Sequence, residues 1–134
     1  MGTSSQIEVR TSRRFEMVDI TSKVRAAVRD SKVENGLCIV YVPHTTAAVA
    51  INEHADPDVT RDIIRSLDDL IPVENDYSHG EGNSNAHIKS ALMGNSRIIL
   101  VEGGEPVFGT WEGVFFCEFD GPRTRRVLVK VIQA

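Results

Sequence analysis

The chain has 134 residues, 41% of them hydrophobic and 25% charged, and a formal net charge of -4. This length and composition are typical of one globular domain, residues 1–134, with its own hydrophobic core. The negative charge argues against a general nucleic-acid binder. The sequence shows neither an apolar leader at its start nor an apolar run of membrane-spanning length, so we expect a cytoplasmic protein that does not bind membranes.

The first part of the chain predicts two strands separated by a helix. Residues 6–14 alternate apolar and polar side chains, as a half-buried strand does. After a short extended segment, Asp19 or Thr21 can cap a helix over 21–31, in which Val24, Ala27 and Val28 share one face. A turn at 35–36 then leads into the apolar run LCIVYVP, which predicts a strand covered on both faces.

The middle of the chain predicts a further strand, or an irregular extension of the preceding one, and then a helix. Residues 44–56, HTTAAVAINEHAD, are rich in β-branched and small side chains and suit a strand. Asp56 followed by Pro57 is a helix start, and Pro72 ends the helix. The helix has one apolar stripe, formed by Val59, Ile63, Ile64, Leu67, Leu70 and Ile71.

The last part of the chain predicts a loop, a short helix and three strands. Residues 73–83 lack any periodicity, and Asn83 or Ser84 can cap a helix that Gly94 closes in the left-handed conformation. SRIILVE, WEGVFFCEF and RTRRVLVKVI predict strands, and the Asp-Gly-Pro turn at 120–122 predicts a hairpin between the last two. Strands at both ends with helices between them indicate the α+β class.

The two cysteines, Cys38 and Cys117, both lie in apolar runs predicted to be strands. Small disulfide-stabilised folds usually carry more cysteines, and no CxxC metal motif is present. We therefore expect two buried free thiols.

Three of the four histidines stand where metal ligands are often presented. His44 follows a buried strand, His79 lies in a glycine-rich loop, and His87 falls in the first turn of a helix. Three imidazoles would leave one coordination position of a zinc ion open for water or substrate. The alternative is that His79 faces water and His87 is an ordinary polar residue near a helix start.

Two further groups of polar residues could take part in chemistry. Thr45 and Thr46 adjoin His44, and Glu53 follows an apolar stretch whose burial would raise its pKa and suit it to acid or base catalysis. Arg123 and Arg125 share the parity of the valines on the last strand, so we expect both to point inward. Their partner would be Glu118 across the hairpin or a bound phosphate. For Glu53 the alternative is an ordinary exposed carboxylate.

Four segments together resemble one known family. PHTTAAVAINEHADPDV, YSHGEGNSNAHIKSALMGNS, GTWEGVFFCEFDGPR and RRVLV look like the YjbQ-like family, which is described as secondary thiamine-phosphate synthases. The resemblance runs from about residue 6 to the end of the chain. Two positions depart from the family pattern: Glu112 replaces a common glutamine, and His54 stands where asparagine is frequent.

The resemblance implies a fold, an assembly and a site. It implies packed antiparallel or mixed β-sheets, sandwich-like, with two to three helices, assembled as a homotrimer. It also implies a pocket near a subunit interface lined by metal-binding His44, His79 and His87. The neighbours of that pocket would be Glu53, Thr45, Thr46, Asn83, Arg123 and Arg125.

The activity implied is the joining of a pyrimidine diphosphate to a thiazole phosphate, which gives thiamine phosphate and pyrophosphate. A divalent metal would assist departure of the diphosphate. The histidine triad suits zinc, whereas magnesium prefers oxygen ligands, so the thiamine reaction could be a side activity. The alternatives are a zinc-dependent hydrolase of a small phosphorylated metabolite, with Glu53 as general base, and a non-catalytic trimer that binds a metal or metabolite.

Overall fold

The computed structural model describes residues 2–134, which form eight strands and three helices. The strands are β1 (Gly2–Arg10), β2 (Glu16–Asp19), β3 (Gly36–Tyr41), β4 (Ala47–Glu53), β5 (Ser96–Glu102), β6 (Glu105–Pro106), β7 (Glu112–Glu118) and β8 (Thr124–Gln133). The helices are α1 (Thr21–Ser31), α2 (Pro57–Leu70) and α3 (Ser84–Met93). The predicted α+β class is confirmed.

The strands build two antiparallel sheets. One has the order β1-β8-β3-β5-β6 and the other the order β2-β7-β4. Alternate residues of the strands face inward, so that valines such as Val40, Val49 and Val129 from both sheets share one core with α1. The opposite face of the smaller sheet packs Ala48, Phe115 and neighbouring residues beneath α3. The layers are therefore, in order, the five-stranded sheet, the three-stranded sheet and helices.

The hairpin predicted between the last two strands is wrong. β7 pairs with β2 and β4, whereas β8 pairs with β1 and β3 in the other sheet. Both edges of each strand are thus occupied, and the Asp-Gly-Pro segment carries the chain from one sheet to the other. The turn dipeptide was recognised correctly, but local sequence does not encode which sheet takes the next strand.

The strand β3 is covered on one face within the chain, although its apolar run predicted cover on both. Cys38 and Val40 are fully buried, but Tyr41 is 42% exposed. On the neighbouring β5, Ile98 and Leu100 are 65% and 54% exposed. The outer face of the five-stranded sheet is consequently an open apolar surface.

The three helices have the predicted limits, but their ends differ in detail. Asp56 caps α2 as expected, since its side chain accepts the backbone N–H of Asp58 at 2.9 Å. The N-cap of α1 is Ile20, and the side chain of Asp19, one residue earlier, accepts the backbone N–H of Thr21. Asn83 occupies the cap position of α3 but makes no side-chain cap hydrogen bond.

Two other details of the helices depart from the sequence-based expectation. Gly94, at the end of α3, has φ 91° and ψ 152°, an extended conformation with positive φ and not the left-handed helical one. No residue of α2 itself is fully buried, and Leu70 is 71% exposed. The apolar stripe of α2 is only partly packed, because one side of the stripe and Met93 together line an open groove. Within residues 2–134 no helix has the length and apolarity that crossing a membrane requires.

Candidate functional site

A cavity of about 350 Å³ opens where the end of β3, the start of α3 and the crossing between the sheets meet. The crossing approaches the start of β4 because Ala47 is in register with Glu118 and the backbone N–H of Phe119 donates to the carbonyl of Thr46. We call it the His44 cavity, and its lining residues are Pro43, His44, Thr45, Thr46, Glu81, Asn83, His87, Asp120, Arg123 and Arg125. It brings together seven of the nine residues predicted to form the site.

The two predicted residues outside this cavity are His79 and Glu53. His79 lies on the adjoining loop with its ring 5.4 Å from that of His87, edge to face. Glu53 is the last residue of β4 and pairs with Glu112, whereas His44 precedes the first residue of that strand. A strand of this length spans about 20 Å, so one chain does not bring Glu53 to the histidines.

Arg125 forms a buried ion pair with Glu118, as one of the two predicted alternatives required. The exposed fractions of the two side chains are 6% and 0%. Two nitrogens of the guanidinium contact the carboxylate, and one of them also donates to the Thr46 hydroxyl at 2.8 Å. Glu118 additionally accepts from the Thr11 hydroxyl and the backbone N–H of Asp120. Each charge is therefore compensated, as burial demands.

The third guanidinium nitrogen of Arg125, Nη1, makes no hydrogen bond within residues 2–134. It is also not among the polar atoms that are both fully buried and without a hydrogen-bond partner. Because Arg125 lines the His44 cavity, this nitrogen can donate to a bound molecule while the ion pair with Glu118 stays intact.

Arg123 does not point inward, which corrects the parity argument made from sequence. β8 begins at Thr124, so Arg123 belongs to the crossing, and its side chain is 53% exposed. Its guanidinium contacts the Asp120 carboxylate at 3.0 Å and the Asp120 carbonyl at 2.8 Å. It therefore stands at the rim of the cavity.

An anion site would use the side-chain N–H of Asn83, but this N–H is already bonded within the protein. Its side-chain N–H donates to the Asp120 carboxylate at 2.9 Å, and its buried carbonyl oxygen has no partner. Burial alone would raise the pKa of Asp120, but the hydrogen bonds from Asn83 and Arg123 outweigh burial and hold that pKa below its usual value. Asn83 thus positions Asp120, and its own carbonyl oxygen is too deeply buried to contact a molecule in the cavity.

His44 is held by the backbone of the last strand. Its Nε2 accepts the backbone N–H of Arg126 at 3.1 Å. Burial and the nearby charge of Arg125 lower the pKa of His44, so the neutral imidazole is favoured. Because this hydrogen bond joins residues 82 positions apart, no local pattern of residues indicates it.

The three histidines as they stand do not fit a zinc ion held by all of them. The Nε2 lone pair of His44 is already occupied by the Arg126 N–H. Across residues 2–134, no three histidine, cysteine, aspartate or glutamate side chains are grouped so that they could hold a metal. The zinc hypothesis stays a prediction.

Two further residues make polar contacts but do not line the His44 cavity. Lys89 of α3 is only 1% exposed, and its ammonium contacts Asp68 at 2.9 Å and the Asn85 carbonyl oxygen at 3.0 Å. The i,i+4 spacing of Asn85 and Lys89 was the only local signal. His54, which departs from the family pattern, pairs with Asp19 at 3.0 Å and lies away from the cavity.

The fold and the site define a small α+β protein with a polar cavity between two antiparallel sheets. The family profile described as "UPF0047 protein YjbQ-like" matches residues 5–134. The chain is 52% identical over 125 residues to a UPF0047 protein of Methanocaldococcus jannaschii, covering 93% of this chain and 91% of the relative. It is 45% identical over 127 residues to the UPF0047 protein YugU of Bacillus subtilis, covering 94% and 96%.

Solved structures agree with this assignment. A YjbQ/UPF0047 family protein of Clostridium acetobutylicum superposes with a TM-score of 0.94 at 52% identity, covering 96% of this chain and 99% of that one. A YbjQ-like protein of unknown function from Sulfolobus solfataricus gives a TM-score of 0.97 at 34% identity, covering 100% and 99%. The chain therefore belongs to the YjbQ-like UPF0047 family, as its motifs predicted.

Proposed function

We propose that this protein is a transferase that binds a small phosphorylated molecule in the His44 cavity. One observation supports the proposal. Arg125 lines the cavity, is buried and is neutralised by Glu118, and one of its guanidinium nitrogens makes no hydrogen bond within residues 2–134. A guanidinium fixed in this way donates to a phosphate without losing side-chain freedom on binding. The Thr45 and Thr46 hydroxyls and Arg123 at the rim are the other polar groups on that side.

The reaction to test first is the formation of thiamine phosphate, which the family resemblance implies. In this reaction the bond between the pyrimidine methylene carbon and the diphosphate oxygen breaks, and pyrophosphate leaves with the bonding electrons. The thiazole nitrogen supplies the electron pair of the new carbon–nitrogen bond. Fixed N–H donors at the diphosphate would stabilise the negative charge that develops on it.

The experiment combines the purified protein with both substrates and Mg²⁺ and measures thiamine phosphate and pyrophosphate by mass spectrometry. Arg123→Gln should raise the KM for the diphosphate roughly tenfold, since one charge-assisted contact is lost. Arg61→Gln is the matched control, because Arg61 also pairs with an aspartate three residues away, at 2.8 Å, but on α2. If the wild-type protein forms no thiamine phosphate, the proposed reaction is refuted. If the two variants have the same KM for the diphosphate, the proposed role of Arg123 is refuted.

The zinc alternative has a separate test. Elemental analysis of the purified protein would show one zinc per chain if His79, His87 and a rearranged His44 hold the ion. His87→Ala should then lose the metal and any activity together. A metal-free protein that forms thiamine phosphate would exclude both the zinc hydrolase and the non-catalytic metal-binding alternative.

We also propose that the chain assembles as a homotrimer. What supports this is the open apolar face of the five-stranded sheet, on which Tyr41, Ile98 and Leu100 are exposed. A surface of this kind on a soluble protein marks an interaction site. A second copy of the chain would cover the outer face of β3 that the chain itself leaves open.

A further inference from the structure

The backbone N–H of Arg126 fixes the hydrogen-bonding state of the His44 ring. A neutral imidazole has one nitrogen with a lone pair in the ring plane and one nitrogen with a hydrogen. Because the backbone N–H of Arg126 donates to Nε2 at 3.1 Å, Nε2 is the nitrogen with the lone pair. The hydrogen of the neutral ring must then be on Nδ1.

The Nδ1 atom is available to a bound molecule. It makes no hydrogen bond within residues 2–134, and it is not among the polar atoms that are both fully buried and without a hydrogen-bond partner. His44 lines the same cavity as Arg125, whose Nη1 is also free. The cavity therefore offers two N–H donors from residues that the protein already holds in place.

This arrangement is the reverse of the usual metal-binding histidine. A ligating histidine normally donates its second ring nitrogen to a carboxylate or carbonyl, which leaves the first nitrogen with a lone pair for the metal. Here the second nitrogen meets a donor. For His44 to bind a metal through Nδ1, it would have to lose the Nδ1 hydrogen and break the hydrogen bond from Arg126.

We propose that His44 is a neutral hydrogen-bond donor to an oxyanion in the His44 cavity, and that the Arg126 amide fixes the tautomer that makes it so. The ligand class is a phosphate or diphosphate group, which accepts hydrogen bonds from Nδ1 of His44 and Nη1 of Arg125. A neutral imidazole can act as a donor of this kind in a catalytic site. The proposal rests on the proposed function for its ligand, but the tautomer is independent of it.

The tautomer is tested first, on the wild-type protein without ligand. Nitrogen-15 NMR of the histidine rings, with His44 assigned by the signal missing in His44→Asn, should show a protonated Nδ1 and an unprotonated Nε2. The opposite tautomer, or a zinc-bound Nδ1 after addition of one equivalent of zinc, would overturn the proposal.

The donor role is tested by calorimetric binding of inorganic pyrophosphate. The side-chain amide nitrogen of asparagine can take the place of Nδ1, whereas alanine has no donor. His44→Ala should therefore weaken binding roughly 10- to 150-fold, the range for one hydrogen bond to a charged acceptor. His44→Asn should stay within about threefold of the wild-type Kd, by the same arithmetic. His54→Asn, at a histidine away from the cavity, is the matched control and should bind as the wild type does.

The outcomes separate this inference from the proposed function. If the wild type binds no pyrophosphate, the proposed function fails and the oxyanion role fails with it. If the wild type binds pyrophosphate and His44→Asn is as weak as His44→Ala, the proposed function stands and the role of His44 alone is overturned. Circular dichroism and thermal melts of each variant show that the compared proteins are folded.

Discussion

The ion pair between Arg125 and Glu118 is the residue-scale feature on which the cavity depends. Glu118 is fully buried, so its charge is tolerable only with the guanidinium and the two other donors that contact it. The pair also connects β7 of one sheet with β8 of the other. The same contact therefore stabilises the crossing and orients the cation that lines the cavity.

Removing one partner of this pair should cost more than removing both. Arg125→Met leaves a buried, uncompensated carboxylate and should lower the free energy of unfolding by about 3–5 kcal/mol. The double variant Arg125→Met, Glu118→Gln should recover part of that loss, which urea denaturation of all four proteins in a double-mutant cycle would measure. Equal and additive losses would show that the two side chains are not coupled.

The buried thiols predict a pH dependence of stability. Burial raises the pKa of Cys38 to about 11 and that of Cys117 to about 12, against an ordinary value of 9.0. Above pH 9 the unfolded chain loses these protons while the folded chain keeps them, so stability must fall as pH rises. The slope between pH 9 and 11 should approach about 1.4 kcal/mol per pH unit for each thiol.

Urea denaturation at several pH values would measure that slope. The double variant Cys38→Ala, Cys117→Ala removes both thiols and is the control for every other contribution to the slope. A slope that is unchanged in the double variant would show that the thiols do not cause it. Native protein at pH 8 should also react only slowly with a thiol reagent, because few thiolates are present.

At the scale of the element, α3 contributes His87 to the cavity. Its hydrophobic contacts are modest, with Ala86 packed against the smaller sheet, and its polar contacts are buried. The ammonium of Lys89 contacts Asp68 of α2 and lies 4.1 Å from the ring centroid of Phe15. Ser90 donates to the Ala47 carbonyl at 2.6 Å. The helix is thus fixed by specific polar contacts to α2 and β4.

Asp68→Asn should loosen this attachment. It leaves the buried Lys89 charge without its anionic partner, and we expect a loss of about 1–3 kcal/mol in the free energy of unfolding. Asp69→Asn, at the exposed neighbouring position, should stay within about 0.5 kcal/mol of the wild type. Chemical denaturation compares the two directly, and similar effects of both variants would mean that Lys89 does not depend on Asp68.

At the scale of the whole molecule, the proposed trimer depends on the open face of the five-stranded sheet. Ile98→Lys places a charge on that face, on the strand beside β3, and should convert the proposed trimer into a monomer, because a buried interface does not accept an unpaired charge. The fold should survive, since Ile98 is 65% exposed within one chain.

Light scattering after size exclusion would measure the mass against the 14.8 kDa of one chain. Leu70→Lys is the control, because Leu70 is 71% exposed but lies on α2 beside the groove with Met93. This variant should keep the wild-type mass. A monomeric wild-type protein would refute the trimer, and a trimeric Ile98→Lys variant would place the interface elsewhere.

The amino-acid sequence by itself determined the three helices, most of the strands, the class and the family of this protein. Local signals are strong where they depend on neighbouring residues: Asp56-Pro57 starts α2, and the alternation of valines in β8 specifies its buried face. The motifs around His44, His79 and His87 predicted the family, and the family profile matches residues 5–134.

Only the tertiary structure decided which strands pair and what each site residue can do. β7 and β8 are adjacent in sequence but lie in different sheets, because strand pairing depends on edges that distant segments supply. The hydrogen bond from Arg126 to His44 spans 82 positions, and no local pattern encodes it. That contact determines which nitrogen of His44 carries the hydrogen, and with it whether the histidine suits a metal or an anion.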